Sequence, residues 1–141
     1  SSTYTDLNLS IDSPDALYRS PDSTINKLTF ISSNKNLEIN LITKPIDENS
    51  DLSNELINDF KERNFINVIT KNEDFQTLDG DKGVKIFGSF DDQNLNRKKD
   101  YSTILFVVNK LSIKLEIIFE RGNANLQKIV DRVINSLKFN K

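Results

Sequence analysis

The residues that most often carry out protein chemistry are missing from this chain, which contains neither histidine nor cysteine. Without them the sequence can hold no Ser-His-Asp or Cys-His arrangement, no thiolate nucleophile and no zinc-thiolate site. An enzyme built on this sequence would depend on Asp, Glu, Lys, Tyr or Ser, or on a metal held by oxygen ligands. We therefore expect a protein with no enzymatic activity, no catalytic residues and no cofactor.

An acidic segment offers the alternative of a calcium site. It contains the carboxylates of Glu73, Asp74, Asp79 and Asp81. Ca²⁺ prefers such oxygen ligands, but Gly83 stands where an EF-hand loop needs one and no Glu occupies the twelfth position. Asp-Gly at 79–80 is also a strong hairpin signal, because glycine adopts the positive φ that such turns need. We therefore favour a hairpin turn and predict no metal site.

Lys114 and Glu116 are a second candidate for chemistry, as an acid/base pair. Residues two apart in a strand share one face of the sheet, so the two side chains would be neighbours. A Lys/Glu pair in this arrangement is far more often charge decoration on an outer face. We expect Lys114 and Glu116 on such a face, without a catalytic role.

The charged segment from residue 91 to 100 is the candidate contact surface. It carries charges of both signs, including a basic run at 97–99, and a tyrosine follows it. This mixture is typical of transient protein interfaces, although a solvated hairpin connection explains it equally well. The predicted partner-binding residues are Asp91, Asp92, Arg97, Lys98, Lys99 and Tyr101.

The overall charge disfavours nucleic acid as a partner. Nineteen basic residues stand against 21 acidic ones, for a net charge of −2. A nucleic-acid-binding protein usually carries a basic face, which this sequence does not show. No apolar stretch approaches the ~20 residues that a membrane-spanning helix needs. We expect a protein partner, no nucleic acid and no transmembrane segment.

Hydrophobic periodicity predicts the elements that position these residues. Apolar residues at every second position indicate strands at 7–11, 37–43, 84–90 and 111–119, and further strands are indicated at 28–32, 65–70, 74–78 and 101–108. Helical spacing of apolar residues indicates amphipathic helices at about 50–63 and 123–138. Residues 15 to 21 are expected to form a loop or turn. Residues 101–108 are apolar on both faces, which predicts a central strand covered on both sides.

These elements predict an α+β fold. A twisted, mostly antiparallel sheet of about six to eight strands is expected, flanked by the two main helices at about 50–63 and 123–138. The 141 residues suit a single domain spanning 1–141, with residues 1–3 frayed. The sequence shows neither an internal repeat nor a Gly/Ser linker that would divide it.

The order of these elements resembles the PsbP-like superfamily, whose bacterial members include the DcrB-like proteins. The resemblance covers roughly residues 7 to 139. It rests on the early strands before an amphipathic helix, the turn at 79–83, the strand at 84–90, the hairpin at 101–119 and the helix that ends at 134–139. It implies an antiparallel sheet flanked by helices in an exported or envelope-associated accessory protein. It transfers no binding residue to this chain, and the histidine-containing metal sites of plant-type members cannot exist here.

We therefore expect a noncatalytic accessory or binding protein of the bacterial cell envelope that acts through protein contacts. The chain starts Ser1-Ser2-Thr3, a polar opening of the kind that follows the cleavage site of exported proteins, although a trimmed chain would look the same. An extracytoplasmic location follows as an expectation, periplasmic or with a lipid anchor upstream of Ser1. The alternative is a small-molecule or metal-ion binding module with a cleft between helix and sheet.

Overall fold

The computed structural model describes residues 2–4, 9–11, 17–19, 27–32, 36–45, 52–77, 79–108 and 110–139. Side chains are described for 29–32, 36–45, 54–77, 79–107 and 110–137. Up to residue 76, the elements are β1 (Ser2–Tyr4), β2 (Leu9–Ile11), β3 (Leu17–Arg19), β4 (Lys27–Ser32), β5 (Leu37–Pro45), α1 (Leu52–Glu62) and β6 (Phe65–Gln76). The elements that follow are β7 (Lys82–Asp92), β8 (Arg97–Val108), β9 (Leu111–Glu120), α2 (Ala124–Asn135) and β10 (Lys138–Phe139).

Seven of the described strands form one open antiparallel sheet in the order β3-β4-β5-β9-β8-β7-β6. The three short strands β1, β2 and β10 form a second sheet, with β2 in the middle. The predicted fold class, an antiparallel sheet of six to eight strands with two main helices, is confirmed.

The two helices cover opposite faces of the large sheet. Successive side chains of a strand point to opposite faces, and each helix packs on a different one of these two sets. The α2 helix packs on a face that includes Ile104 and Leu115, which are paired across β8 and β9. The α1 helix packs on the other face, which includes Tyr101 and Ile118, also paired across these strands. Both β8 and β9 are therefore buried on both faces, as predicted for β8.

The α2 helix is held by an apolar stripe and an N-terminal cap. Leu126, Val130, Val133 and Ile134 are buried. The Asn123 side chain accepts a hydrogen bond of 3.0 Å from the backbone N–H of Leu126, which would otherwise lack an intrahelical partner.

The predicted helix at 123–138 is too long at its C-terminal end. Ser136 forms the C-cap, and its hydroxyl donates to the carbonyl oxygen of Val133 at 2.7 Å. Lys138 and Phe139 then pair with β2 as β10. The chain can leave the helix here because the C-cap satisfies late helical carbonyls and the paired strand takes up the following backbone groups.

Two other predicted boundaries are wrong because strand pairing continues through polar residues. The strands predicted at 65–70 and 74–78 fall on the single strand β6, which ends at Gln76 and contains a bulge between Ile66 and Ile69, while Leu78 lies outside the described residues. Asn67 adopts φ 53° at this bulge, a conformation that asparagine tolerates better than most residues. The loop predicted at 91–100 is mostly strand, because Asp91 pairs with Lys98 and the turn itself spans only 93–96.

Short strands also occupy the N-terminal region. The predicted loop at 15–21 contains β3, which pairs with β4, and the predicted frayed start overlaps β1, which pairs with β2. Backbone pairing can form such strands without apolar alternation, which is why periodicity did not indicate them. Leu7 of the first predicted strand and the predicted helix cap at 49–51 lie outside the described residues.

Candidate functional site

A buried ion pair joins the C-terminal end of α1 to the centre of the sheet. Arg63, directly after the helix, turns toward the sheet and places Nη1 2.8 Å from Oε1 of Glu116 on β9. Glu116 has 0% of its surface exposed, so its charge depends on partners inside the protein. This pair fixes the position of the helix end over the sheet.

Neighbouring polar groups extend the pair into a network. Asn40 on β5 donates to Oε1 of Glu116 at 2.9 Å and to Oε2 of Glu38 at 2.8 Å. Arg63 also contacts Oε2 of Glu38 at 3.4 Å and Oδ2 of Asp59 at 3.1 Å. The guanidinium therefore binds three carboxylates, and its Cζ atom lies over the Phe65 ring, 4.7 Å from the ring centroid.

The network holds Glu116 in its charged form. Burial acts to raise the pKa of Glu116, but the charges of Arg63 and Lys114 and the hydrogen bonds from Arg63 and Asn40 outweigh it, so its pKa lies below the usual range. Burial acts to lower the pKa of Arg63, and the carboxylates of Glu116 and Asp59 reverse that effect and raise it. Both groups are therefore charged at neutral pH.

The expectation that Lys114 and Glu116 decorate an outer face is wrong. Lys114 is mostly covered, its Nζ lies 3.8 Å from Oε2 of Glu116, and α1 closes over this side of the sheet. The second face of β9 is buried because β9 lies beside β8 at the centre of the sheet. Within the described residues, Oε2 of Glu116 and Oγ1 of Thr103, the cross-strand neighbour, have no hydrogen-bond partner.

A charged cleft of about 290 Å³ opens beside this network, between the end of α1 and the sheet. Arg63 and Glu38 line one side, while Asp92 and Lys99 line the other. Lys99 is only 3% exposed, and burial together with the nearby charge of Arg97 lowers its pKa. The cleft wall thus carries two cations and two carboxylates.

A second recess of about 370 Å³ shares Lys99 with the cleft. Arg97, Lys98, Asn36 and Glu120 complete its lining. Arg97 and Lys98 are exposed, and Leu95 in the adjoining turn is 41% exposed. The tip of the β7–β8 hairpin therefore presents two cations and one apolar side chain to solvent, next to the cleft and the second recess.

The structure brings four of the six predicted partner-binding residues to these recesses. Asp92 and Lys99 line the cleft, and Arg97, Lys98 and Lys99 line the second recess. Asp92 also shapes the turn, because its Oδ1 accepts from the backbone N–H of Asn94 at 3.0 Å and of Leu95 at 3.2 Å.

Asp91 belongs to a neighbouring ion pair. Its carboxylate accepts from Asn67 at 2.8 Å and from Arg121 at 3.1 Å. The hydrogen bond from Asn67 and the bond and charge of Arg121 lower the pKa of Asp91. Asp91 is therefore engaged within the protein, across the hairpin from the exposed cations.

Tyr101 is a core residue, so its predicted place at the exit of a surface loop is corrected. It is 1% exposed and packs edge-on to Phe60 of α1. Its hydroxyl reaches across β7 to the edge strand, where it lies 2.9 Å from Oγ1 of Thr70 and donates to the Ile69 carbonyl at 3.1 Å. Its position inside the strand places the ring under α1, away from any partner.

The hairpin turn predicted at Asp79 and Gly80 is present. Gly80 adopts φ 91°, and the backbone N–H of Thr77 donates to the carbonyl of Asp81 at 2.9 Å. In the part of the chain that the structure describes, no group of three or more acidic side chains is placed to hold a metal ion.

Sequence reasoning did not identify the core of this site, namely Arg63, Glu38, Asn40 and Glu116. Glu116 was singled out, but for a solvent-facing role. One signal was available, because a strand that is apolar on both faces must have neighbours that are also covered on both faces. That signal places Glu116 under a helix, where a buried carboxylate requires a cation.

None of the described helices is long and apolar enough to cross a membrane. No protein-family model matches the sequence, and no curated protein matches it.

Solved structures do show a likeness in fold. The Ran-binding protein Mog1p of Saccharomyces cerevisiae superposes with a TM-score of 0.62 at 11% identity, over 98% of this chain and 93% of that chain. A mutant of Mog1 gives 0.57 at 10% identity, over 98% and 93%. Cyanobacterial PsbP (CyanoP) from Synechocystis sp. PCC 6803 gives 0.58 at 12% identity, over 98% and 90%. The chain therefore has the fold shared by PsbP and Mog1, which confirms the PsbP-like resemblance at the level of fold.

Proposed function

We propose that this chain is a noncatalytic binding protein that contacts a protein partner through the tip of the β7–β8 hairpin. Leu95, Arg97 and Lys98, together with the cleft and the second recess that they line, form what we name the hairpin surface. The observation that carries the proposal is the solvent exposure of Leu95, Arg97 and Lys98 around the tip of one hairpin. Arg63 and Glu116 are covered by the protein and hold the scaffold.

The chemistry of the hairpin surface favours a partner with acidic side chains. Arg97 and Lys98 are both exposed, and Asp91, which lies opposite Lys98 in the strand pair, is bound by Arg121. Two cations around one apolar side chain offer a small desolvated contact with charged groups at its rim. The two recesses, with volumes of about 290 and 370 Å³, can accept partner side chains.

The likeness in fold supports a protein as the partner. Mog1p, whose fold this chain shares, is a Ran-binding protein. The same scaffold therefore serves protein binding in that case, without implying the same partner here.

A location in the bacterial cell envelope, and the narrower resemblance to DcrB-like proteins, stay predictions. Fractionation of source cells, followed by immunodetection, tests the location. We expect the protein in the periplasmic or membrane fraction. Recovery in the cytoplasmic fraction alone would contradict the envelope part of the proposal and leave the contact surface to be tested separately.

Site-specific photo-crosslinking tests the contact surface. A photoreactive amino acid replaces Leu95 in one variant and Ile57 of α1 in the other, a matched control because the two side chains are 41% and 39% exposed. In source cells we expect a discrete crosslinked protein from position 95 and none from position 57. Replacing Arg97 and Lys98 by Ala in the position-95 variant should abolish that product. Equal products from both positions would contradict the proposal.

A second candidate function is the binding of a small anion in the cleft. The observation that favours it is the position of the cleft between helix and sheet, with Arg63 and Lys99 in its wall. Calorimetric titration with inorganic phosphate and acetate tests this candidate. Heat that disappears in Lys99→Met supports a small-anion site, and no heat with either probe rules out these anions as ligands.

A further inference from the structure

The strand β6 forms one edge of the large sheet, and no described strand pairs with its outer side. It spans twelve residues and pairs only with β7 on its inner side. Most of its side chains are exposed, and Ile69 is 57% exposed. An edge of this length presents unpaired backbone donors and acceptors that can pair with another strand.

The sequence of this edge is self-complementary about Asn72. In an antiparallel pair of two copies with a twofold axis at Asn72, Lys71 of one copy lies opposite Glu73 of the other, and the reverse pair follows by symmetry. The same register places Ile69 opposite Phe75, again twice. Both pairs lie on one face of the sheet because all four positions have the same parity.

Other registers are disfavoured by the pleat and by charge. An axis between two residues would oppose side chains from different faces, so the axis must pass through a residue. An axis at Lys71 would place that lysine against itself, and an axis at Glu73 would place two carboxylates together. Like charges directly opposite each other destabilise a strand pair. Asn72 is thus the axis that pairs both charges with their opposites.

Structural features at both ends limit the paired segment. The bulge between Ile66 and Ile69 bends the strand at one end, and the turn at 79–80 closes it at the other. Phe75 packs against Phe106 with ring centroids 6.0 Å apart, which holds it in place for contact with Ile69 of a second copy.

From these observations we propose that two copies of this chain dimerise by antiparallel pairing of their β6 edges, with the twofold axis at Asn72. The large sheet then continues across the dimer. The hairpin surface lies at the β7–β8 tip and takes no part in this contact, so the two proposals are tested separately.

Charge exchange tests the pairing and its register. In sedimentation velocity over a concentration series, Lys71→Glu and Glu73→Lys should each weaken dimerisation roughly tenfold or more, because each places two like pairs in contact. The double exchange Lys71→Glu with Glu73→Lys should restore it. Lys128→Glu on the exposed face of α2 is the control, because it changes the net charge by the same amount as Lys71→Glu.

Folding of the variants is checked by circular dichroism and thermal melting. Glu73 also contacts Lys85 at 3.5 Å within its own chain, but its side chain is 54% exposed, so a loss of folding is not expected. If a single exchange did unfold the chain, the cysteine experiment below would still decide the proposal.

A single cysteine at the axis provides the second test, since the natural chain has none. In Asn72→Cys, the two sulfurs face each other across the axis, at a spacing that a disulfide can span. Mild oxidation should give a covalent dimer at low protein concentration, whereas Lys128→Cys should give little. A wild-type monomer at all concentrations overturns the proposal, and so does a dimer that neither crosslinks at 72 nor responds to charge exchange. The first result would mean that the β6 edge does not pair with a second copy of this chain. The second would mean that the dimer contact lies elsewhere on the protein.

Discussion

Arg63 and Glu116 are 53 positions apart in the chain and lie in contact, with 2.8 Å between Nη1 and Oε1. The pair connects the end of α1 to the central strand β9, beneath the cleft that leads to the hairpin surface. Its two groups differ in exposure, because the Arg63 side chain is 23% exposed and that of Glu116 is 0% exposed. Loss of the cation would therefore leave a carboxylate that water cannot reach.

The first prediction is that Arg63→Met costs about 3 kcal/mol of unfolding free energy, near the lower end for breaking a buried pair because Arg63 is partly exposed. Urea unfolding measures it. The double variant Arg63→Met with Glu116→Gln should lose less than the sum of the single losses, because it leaves no buried charge unpaired. Lys44→Ala is the control, since the Lys44–Glu55 pair has side chains that are 58% and 38% exposed and its loss should cost at most about 1 kcal/mol. Additive losses would show that the two side chains are not coupled.

The second prediction concerns pH. The pKa of Glu116 is lower in the folded protein than its usual value, so its stabilisation is fully present above the unfolded pKa of about 4.3 and is lost as pH falls through the folded pKa. Wild-type protein should be more stable than Glu116→Gln at pH 7, and the difference should shrink below pH 4. Urea unfolding across this range measures it. A difference that is constant with pH would contradict a lowered pKa for Glu116.

The third prediction concerns the row formed by Tyr101, Gly88 and Thr70 across β8, β7 and β6. A Cβ atom at Gly88 would overlap the Ile69 carbonyl oxygen, so Gly88→Ala should displace β6 and lower the free energy of unfolding by more than 1 kcal/mol. Tyr101→Phe removes only the hydroxyl and should cost about 1 kcal/mol. Hydrogen exchange should show faster exchange in β6 for Gly88→Ala. Gly122→Ala cannot serve as the control, because Gly122 has a positive φ of 74° and alanine would be strained there for a different reason.

The fourth prediction concerns the start of α2. Asn123→Ala removes the acceptor for the Leu126 N–H and should cost about 1 kcal/mol, whereas Asn123→Asp should retain most of the stability. Thermal and urea unfolding measure both variants. Equal losses in the two would mean that the cap contributes through something other than its side-chain oxygen.

Much of the fold could be predicted from the sequence because apolar spacing reports which faces are buried. The stripe from Leu126 to Leu137 and the alternation in β9 led directly to α2 and a core strand. Strand ends were less predictable, since backbone pairing continued through Asp91 and Lys98, where side chains carry no hydrophobic signal. The bulge at Asn67 was equally hidden, because it depends on backbone conformation rather than on side-chain pattern.

The site was only partly predictable, for a physical reason. The hairpin cations Arg97 and Lys98 were identified, because a run of charges between two strands is visible in the sequence. Arg63 was not, because its importance arises from a contact with Glu116 that only the packing of α1 creates. Tyr101 was assigned to the surface because its burial depends on the same packing.

The most direct test of the central claim is an NMR titration of the isotopically labelled chain with the partner identified by crosslinking at position 95. The account predicts chemical-shift changes at Asn36, residues 92–99 and Glu120, with affinity reduced by the double change Arg97→Ala and Lys98→Ala. Shift changes confined to the opposite end of the sheet, around residues 74–83, would contradict it.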